Sequence, residues 1–158
     1  MTGWRAVVVG VGTGCRHDDE LGPAVAESVA NLHLPGVDVA TSGGDLTELL
    51  ELWRGADLAV LVDAVARAPS RPGRIERIDA EKTTAAAAAA SSHSLGVAEA
   101  VRLARSLDRL PGRLVVFAVD AARLDLGFGL SSAVAAAVPR AVSAVVAELE
   151  RSRISAEE

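Results

Sequence analysis

The chain has 158 residues, half of them hydrophobic and only 3% aromatic, and its formal net charge is -5. This length fits one domain with a core of ordinary size, built mainly from Ala, Val and Leu. The negative charge and the lack of a Lys/Arg-rich run argue against a polyanion-binding face, so we expect no nucleic-acid partner.

The sequence also indicates the cellular compartment in which we expect the protein. A lone cysteine, Cys15, cannot form an intramolecular disulfide, which favours a reducing environment. The N-terminus lacks the length and cleavage site of a signal peptide, and no uninterrupted apolar segment is expected to be long enough for a membrane span. We therefore expect a cytoplasmic protein with no membrane partner, and a monomer because no exposed hydrophobic stripe stands out.

Strand and helix patterns alternate along the chain. Continuous apolar runs predict buried strands at Val7–Gly10, Leu58–Val62 and Leu114–Val119. A short alternating pattern predicts a further strand at Val37–Thr41, and an imperfect one predicts an edge strand at Arg74–Ile78.

Helical stripes fill the intervals between these strands, and the last helix is predicted to end at Glu150. The alanine-rich segment at 81–92 is interpreted as a partly mobile loop that leads to His93, because it has no larger apolar residue to anchor a helix. Each stripe follows a residue suited to the start of a helix: Pro23, Asp45, Ser94, and Ser131 or Ser132.

This order predicts a single-domain α/β fold with a doubly wound, mostly parallel sheet and helices on both faces. We place the domain at residues 1–152 and a short polar C-terminal tail at 153–158. Ligands bind such sheets at the carboxyl ends of the strands. Four acids are predicted to follow strands at that edge: Asp18, Asp19, Asp63 and Asp120.

One candidate is a dinucleotide site at the glycine-rich turn Gly10–Gly14. That fingerprint must run directly into a helix whose N-terminus holds pyrophosphate. Here Cys15 and then acids follow, and the acids would repel a diphosphate. A tight turn explains the glycines better than a cofactor does, and we expect no bound nucleotide.

A second candidate is a nucleophilic Cys15 with His17 or His93 as its base, since the acid needed to orient the base is also present. The acidic neighbours would raise the pKa of the thiol, which is the wrong direction for a reactive thiolate. A small, buried, unreactive cysteine is the plainer interpretation.

A third candidate is a metal site built from Asp19, Asp63 and His93, which come from three separate segments. Two carboxylates and one imidazole suit divalent first-row metals. Taken singly, Asp19 is explained as a solvated acid near a helix N-terminus, and His93 as an exposed loop histidine. Asp63 ends an apolar strand, so its carboxyl group is partly buried and needs a partner.

The segment Gly10–Gly22, GVGTGCRHDDELG, resembles the G-x-G-N-x-L-x-x-D-D-G-x-G signature of the hydrogenase maturation proteases. These endopeptidases remove a C-terminal extension from the large subunit of [NiFe] hydrogenases. Further similar motifs follow in chain order: Gly44–Leu50 (GDLTELL), Leu58–Ala64 (LAVLVDA), Ser92–Gly96 (SHSLG) and Gly129–Ser131 (GLS).

The resemblance implies a five-stranded α/β domain in which Asp19, Asp63 and His93 bind nickel and serve as the catalytic residues. It also implies that the Ni²⁺ is carried by the partner, the [NiFe] hydrogenase large-subunit precursor, and that cleavage follows nickel insertion. Other divalent metals fit the same donor set. We expect Asp18 to orient a ligand or a backbone amide beside this site.

We also expect the turn Ser42–Gly44 and the loop after Asp120 to line the substrate cleft. The chain departs from the signature at Thr13, where Asn is usual, at the polar segment 14–17, and at Glu20, where glycine is common. These departures leave two alternatives open: a chaperone that checks nickel and holds the precursor without cutting it, and a divergent paralogue.

Overall fold

The computed structural model of the chain describes residues 3–80 and 95–157. Its sheet has the strand order β2-β1-β3-β5-β4, in which β4 is antiparallel to β5 and the other neighbours are parallel. This topology confirms the predicted doubly wound, mostly parallel five-stranded sheet. The strands are β1 Ala6–Val11, β2 Val37–Ser42, β3 Leu58–Val65, β4 Ile75–Asp79 and β5 Arg113–Asp120.

Helices cover both faces of the sheet, as predicted. The side chain of Asp45 accepts a hydrogen bond from the backbone N–H of Glu48, which confirms its role as a helix cap. The helical elements are a 3-10 helix at His17–Glu20 and the α-helices α1 Leu21–Ala30, α2 Leu46–Leu52, α3 Leu95–Ser106 and α4 Ser132–Glu157.

Two apolar cores lie on opposite faces of the sheet. On one face, α1 and α4 pack on inward residues of the central strands such as Val8, Val60 and Val115. On the other face, α2 and α3 pack on the alternate residues, such as Val9 and Leu61. The central strands are buried on both faces, which explains their continuous apolar sequences.

Strand β3 is longer than predicted, because it continues beyond Val62 to Val65. The predicted end rested on the acid at position 63, but the backbone keeps its partners there: Asp63 pairs with Ala118 of β5, and Val65 pairs with Asp120. Asp63 is therefore an acid inside a buried strand, not one that follows it.

Helix α4 also extends beyond its predicted end at Glu150 and runs to Glu157, so residues 153–157 belong to the helix. By length and composition alone it is apolar enough to cross a membrane, although Arg140 and Ser143 interrupt its apolar sequence. Its apolar character has a structural reason, because one stripe packs on α1 and the sheet: Val134, Ala137, Ala141, Val145 and Leu149.

The predictions for the alanine-rich segment 81–92, for His93 and for a cap at Ser94 fall outside the described residues.

Candidate functional site

The glycine-rich turn brings the end of β1 into backbone contact with the start of α1. A Cβ atom at Gly10 would lie 2.1 Å from the carbonyl oxygen of Gly22, and one at Gly22 would lie 2.3 Å from that of Val11. A Cβ atom at Gly12, whose φ is +149°, would lie 1.9 Å from the carbonyl oxygen of Asp19. These glycines make room for the backbone of the chain itself, so they give no support to a pyrophosphate cradle.

The turn holds Asp19 in a defined position at the carboxyl edge of the sheet. The backbone N–H of Thr13 donates to Asp19 Oδ2 at 2.9 Å, and the Thr13 hydroxyl donates to the same oxygen at 3.0 Å. Cys15 is exposed, with its Sγ 3.8 Å from the Thr13 hydroxyl, so the prediction of a buried cysteine is wrong. Thr13 stands where the family signature has Asn, and its two hydrogen bonds orient Asp19.

Asp63 lies on the α2–α3 face of the sheet, because side chains alternate along a strand and Leu61 faces that core. Only 5% of its surface is exposed. Burial raises the pKa of the Asp63 carboxyl to about 8, with a further contribution from the charge of Asp19. The fold thus brings together two of the three predicted ligands, Asp19 and Asp63.

This pair of acids is chemically suited to a cation. Two close carboxylates resist joint ionisation, and a divalent metal between them would remove that cost. Within residues 3–80 and 95–157, no group of three or more His, Cys, Asp or Glu side chains could hold a metal ion. A three-ligand site on Asp19 and Asp63 therefore needs a donor from outside those ranges, which is where His93 lies.

Asp18, the immediate neighbour of Asp19, is completely buried and has a different role. Its carboxylate accepts hydrogen bonds at 2.7–2.9 Å from the backbone N–H groups of Ala122, Arg123 and Ser131 and from the Ser131 hydroxyl. Burial raises the pKa of Asp18, but these hydrogen bonds outweigh burial and the net pKa is lowered. Asp18 thus fixes backbone amides of the 121–131 loop.

His17 forms hydrogen bonds with the middle of the same loop. Its backbone N–H donates to Gly127 O at 3.0 Å, and the N–H of Gly127 donates to Cys15 O at 3.0 Å. The ring Nδ1 is 3.1 Å from Gly129 O, and because a carbonyl oxygen only accepts, Nδ1 is the donor. These contacts fix the His17 ring on the loop, so the structure gives no support to His17 as the base for Cys15.

Asp120 ends β5 and is buried, but it belongs to a separate cluster. Its Oδ2 accepts from the backbone N–H of Arg71 at 3.1 Å, and its Oδ1 lies 3.3 Å from Nε of Arg67 in an ion pair. Its own carbonyl accepts from the N–H of Gly73. Asp120 therefore holds the loop before β4 in place, and its carboxylate binds Arg71 and Arg67, which are not part of the Asp19–Asp63 pair.

Ser42, at the end of β2, is likewise used for support. Its hydroxyl donates to Oε1 of Glu48 at 2.5 Å and accepts from the N–H of Gly44 at 3.0 Å. This links the turn Ser42–Gly44 to the first turn of α2 at the carboxyl edge of the sheet.

Sequence reasoning missed two large apolar side chains that the 121–131 loop exposes. Leu126 is 70% exposed and Phe128 is 81% exposed, on either side of Gly127. The available signal was an aromatic residue between two glycines, in a chain with few aromatics.

Comparisons with known proteins bear on this arrangement. The family model described as HycI, hydrogenase maturation protease, matches residues 23–148, a segment that contains Asp63 and begins just after Gly22. The chain is 27% identical over 155 residues to the hydrogenase 2 maturation protease of Escherichia coli strain K12, covering 96% of this chain and 94% of that protein.

Solved structures share the fold. The solution structure of an endopeptidase from Escherichia coli is similar with a TM-score of 0.82 and 26% identity, over 94% of this chain and 93% of that one. The [NiFe] hydrogenase maturation protease HybD from Thermococcus kodakarensis is similar with a TM-score of 0.75 and 24% identity, over 92% and 98%. The glycine turn, the acid at position 63 and the five-stranded sheet thus occur in a chain that belongs to the hydrogenase maturation protease family.

Proposed function

We propose that this chain is an endopeptidase that removes the C-terminal extension of a [NiFe] hydrogenase large-subunit precursor after nickel insertion. In this proposal Asp19, Asp63 and His93 bind the nickel that the precursor carries, and the reaction takes place in the cytoplasm. The printed functions of the similar proteins support the reaction class. The observation that carries the proposal is Asp63, a carboxyl group buried inside β3 within range of the charge of Asp19.

A buried acid of this kind has two ways to avoid an unpaired charge. It keeps its proton, as its raised pKa indicates, or it exchanges the proton for a cation. Nickel borne by the precursor would supply that cation, and His93 would supply a borderline nitrogen donor beside two hard oxygen donors. A precursor without metal offers no such exchange, so the proposal predicts that cleavage depends on nickel loading.

The neighbouring residues have supporting roles in this proposal. Thr13 holds Oδ2 of Asp19 with two hydrogen bonds, so the carboxylate is oriented before the substrate arrives. Asp18 contacts loop amides instead of the metal, and its low pKa keeps it charged and in place at neutral pH. Preorganisation of this kind strengthens binding, since less ordering is required when the substrate binds.

The test is cleavage of a purified large-subunit precursor encoded in the same genome, with and without nickel, followed by the gel shift of the large subunit. The expected result is cleavage of the nickel-loaded form only, and loss of cleavage in Asp63→Asn and in His93→Ala. A matched control is Asp108→Asn, because Asp108 is exposed and precedes the amino end of β5.

Normal cleavage by both site variants would overturn the assignment of Asp63 and His93. If the wild-type protein forms a stable complex with nickel-loaded precursor but leaves the extension attached, the chain is a nickel-checking chaperone and the endopeptidase proposal is wrong. Cleavage of metal-free precursor at the same rate would remove the dependence on nickel.

A further inference from the structure

The 121–131 loop presents an apolar surface to solvent at the carboxyl edge of the sheet. This surface, here called the Leu126/Phe128 patch, consists of the side chains of those two residues, exposed by 70% and 81%. Phe128 is the most exposed of the large hydrophobic side chains in the described part of the chain. Single exposed apolar residues need no explanation, but an aromatic and a leucine displayed on one short loop indicate a binding surface.

The backbone that carries this patch is held at both ends and in the middle. The Asp18 carboxylate binds the loop amides at Ala122, Arg123 and Ser131. Between those points, Gly127 exchanges two backbone hydrogen bonds with Cys15 and His17.

The packing around Gly127 adds a further restraint. A Cβ atom there would lie 2.0 Å from Nε2 of His17, so the imidazole occupies the space of the missing side chain. A loop fixed in this way displays apolar side chains without the ordering cost that a mobile loop would incur on binding.

One short segment of the chain both holds the loop that carries the patch and contains residues of the candidate site. Cys15, His17 and Asp18 all contact the loop, and they lie in the same short segment as Thr13 and Asp19. A substrate that brings a metal centre to Asp19 must therefore pass close to the 121–131 loop.

The charges around the patch favour an apolar ligand over a charged one. Arg123 and Asp125, which precede Leu126, pair with each other at 2.8 Å, so their two charges offset one another beside the patch. A protein of net charge -5 has no general attraction for polyanions or acidic lipid surfaces. The chemistry that the patch itself offers is contact with an apolar side chain.

We infer that the Leu126/Phe128 patch is a docking surface for an apolar side chain of the large-subunit precursor, in the segment that flanks the scissile bond. This inference rests on the proposed function, which supplies the identity of the substrate. Aromatic side chains at the centre of an interface commonly contribute a large share of the binding free energy. The patch would thus select the position of the peptide, while Asp19 and Asp63 bind the metal.

The test measures both the Kd for the precursor and the KM for cleavage, using the double variant Leu126→Ala/Phe128→Ala. We expect Kd and KM to rise about tenfold or more, with kcat within about twofold of wild type, since truncation removes binding contacts and no reacting group. The single variant Phe128→Leu should retain most of the wild-type affinity, because it keeps an apolar side chain at this position. Both side chains are highly exposed, so the thermal unfolding midpoint should not change.

The matched control is Leu107→Ala, which truncates another exposed leucine, located after α3 and before the amino end of β5. It should leave Kd and KM unchanged. If the double variant binds and cleaves like wild type, the docking inference is wrong while the proposed function stands. If wild type binds but does not cleave, the endopeptidase proposal fails, and the Kd comparison alone decides the docking inference: a rise supports it and an unchanged value overturns it.

Discussion

Asp18 and Asp19 show how two identical neighbours acquire different roles. Both lie in a 3-10 helix, in which successive residues are about 120° apart, so their side chains leave in different directions. Asp18 is completely buried and binds loop amides, whereas Asp19 accepts two hydrogen bonds from Thr13 at the sheet edge. Composition and spacing showed the acid pair but did not distinguish its members, whereas the resemblance to the family signature assigned Asp19 to the metal and Asp18 to a ligand or a backbone amide.

The acid at position 63 illustrates a related limit. An acid after four or more apolar residues predicts the end of a strand, because an unpaired buried charge is costly. In the structure Asp63 lies within β3, and its raised pKa keeps the carboxyl group protonated, so no unpaired charge is buried there at neutral pH. Departures of this kind from local rules are typical of functional sites, and hydropathy alone cannot reveal them.

We predict that Asp63→Asn stabilises the protein at pH 8 and has little effect near pH 4. The folded-state pKa of Asp63 is about 8, above the ordinary value of 3.8 expected in the unfolded chain. Between these values the folded state holds a proton that the unfolded state has lost, so stability falls as pH rises through this window. Asn mimics the protonated acid and removes that loss.

Thermal unfolding midpoints of wild type and Asp63→Asn, measured without metal from pH 4 to pH 9, test this. The difference between the two proteins should grow with pH and level off above pH 8. Asp108→Asn, at an exposed acid, should show no such pH dependence. Equal midpoints for Asp63→Asn and wild type at pH 8 would contradict the raised pKa.

At the scale of elements, the fold depends on close backbone approach between β1 and the start of α1. Central strands were predictable from their continuous apolar runs, and helices from their stripes. The contact of Gly10 with Gly22 was not predictable, because the sequence shows only that glycines are present, and two different structures can require them. A phosphate cradle and a backbone crossing both require a missing side chain, and only the position of α1 distinguishes them.

We predict that Gly10→Ala destabilises the protein by about 3 kcal/mol or more. The added methyl group would lie 2.1 Å from Gly22 O and 2.9 Å from the Ala26 side chain, so β1 and α1 must move apart. Overpacking in a well-packed core commonly costs about 1–3 kcal/mol, and this clash is with backbone, which yields less readily than a side chain.

Urea unfolding of Gly10→Ala and of a matched variant, Gly43→Ala, measures the effect. A Cβ atom at Gly43 has no neighbour within 4 Å, so that substitution should be neutral or slightly stabilising. A loss of stability of equal size in both variants would show that the crossing of β1 and α1 is not the cause.

At the scale of the whole molecule, helix α4 is long and apolar enough to cross a membrane, and its packing in this fold explains that composition. It lies over the sheet, and its buried stripe completes the core formed with α1. Its one deeply buried charge, Glu148, reaches across to the edge strand: Arg77 Nε of β4 donates to Glu148 Oε1 at 2.7 Å. Arg151 donates to the same oxygen at 2.8 Å. This cluster joins the last helix to the last strand in the sheet order.

We predict that Arg77→Met lowers the free energy of unfolding by about 3 kcal/mol at pH 7, with a smaller effect near pH 3. The hydrogen bond from Arg77 is the main reason that the pKa of Glu148 is lowered, against the opposing effect of burial. A lowered folded-state pKa contributes stability above the unfolded value of 4.5, and that stability is lost as pH falls through the folded pKa. Removing one partner of a buried ion pair typically costs about 3–5 kcal/mol, and Arg151 remains to offset part of it.

Urea denaturation of wild type and Arg77→Met at pH 7 and at pH 3 measures the difference at each pH. The control is Arg153→Met, because the acids that pair with Arg153 in the described part of the chain, Glu150 and Glu157, are exposed and lie on its own helix. Its loss should be below about 1 kcal/mol at either pH. A cost for Arg77→Met that is as large at pH 3 as at pH 7 would contradict an electrostatic link between α4 and the sheet edge, because it would not depend on the charge of Glu148.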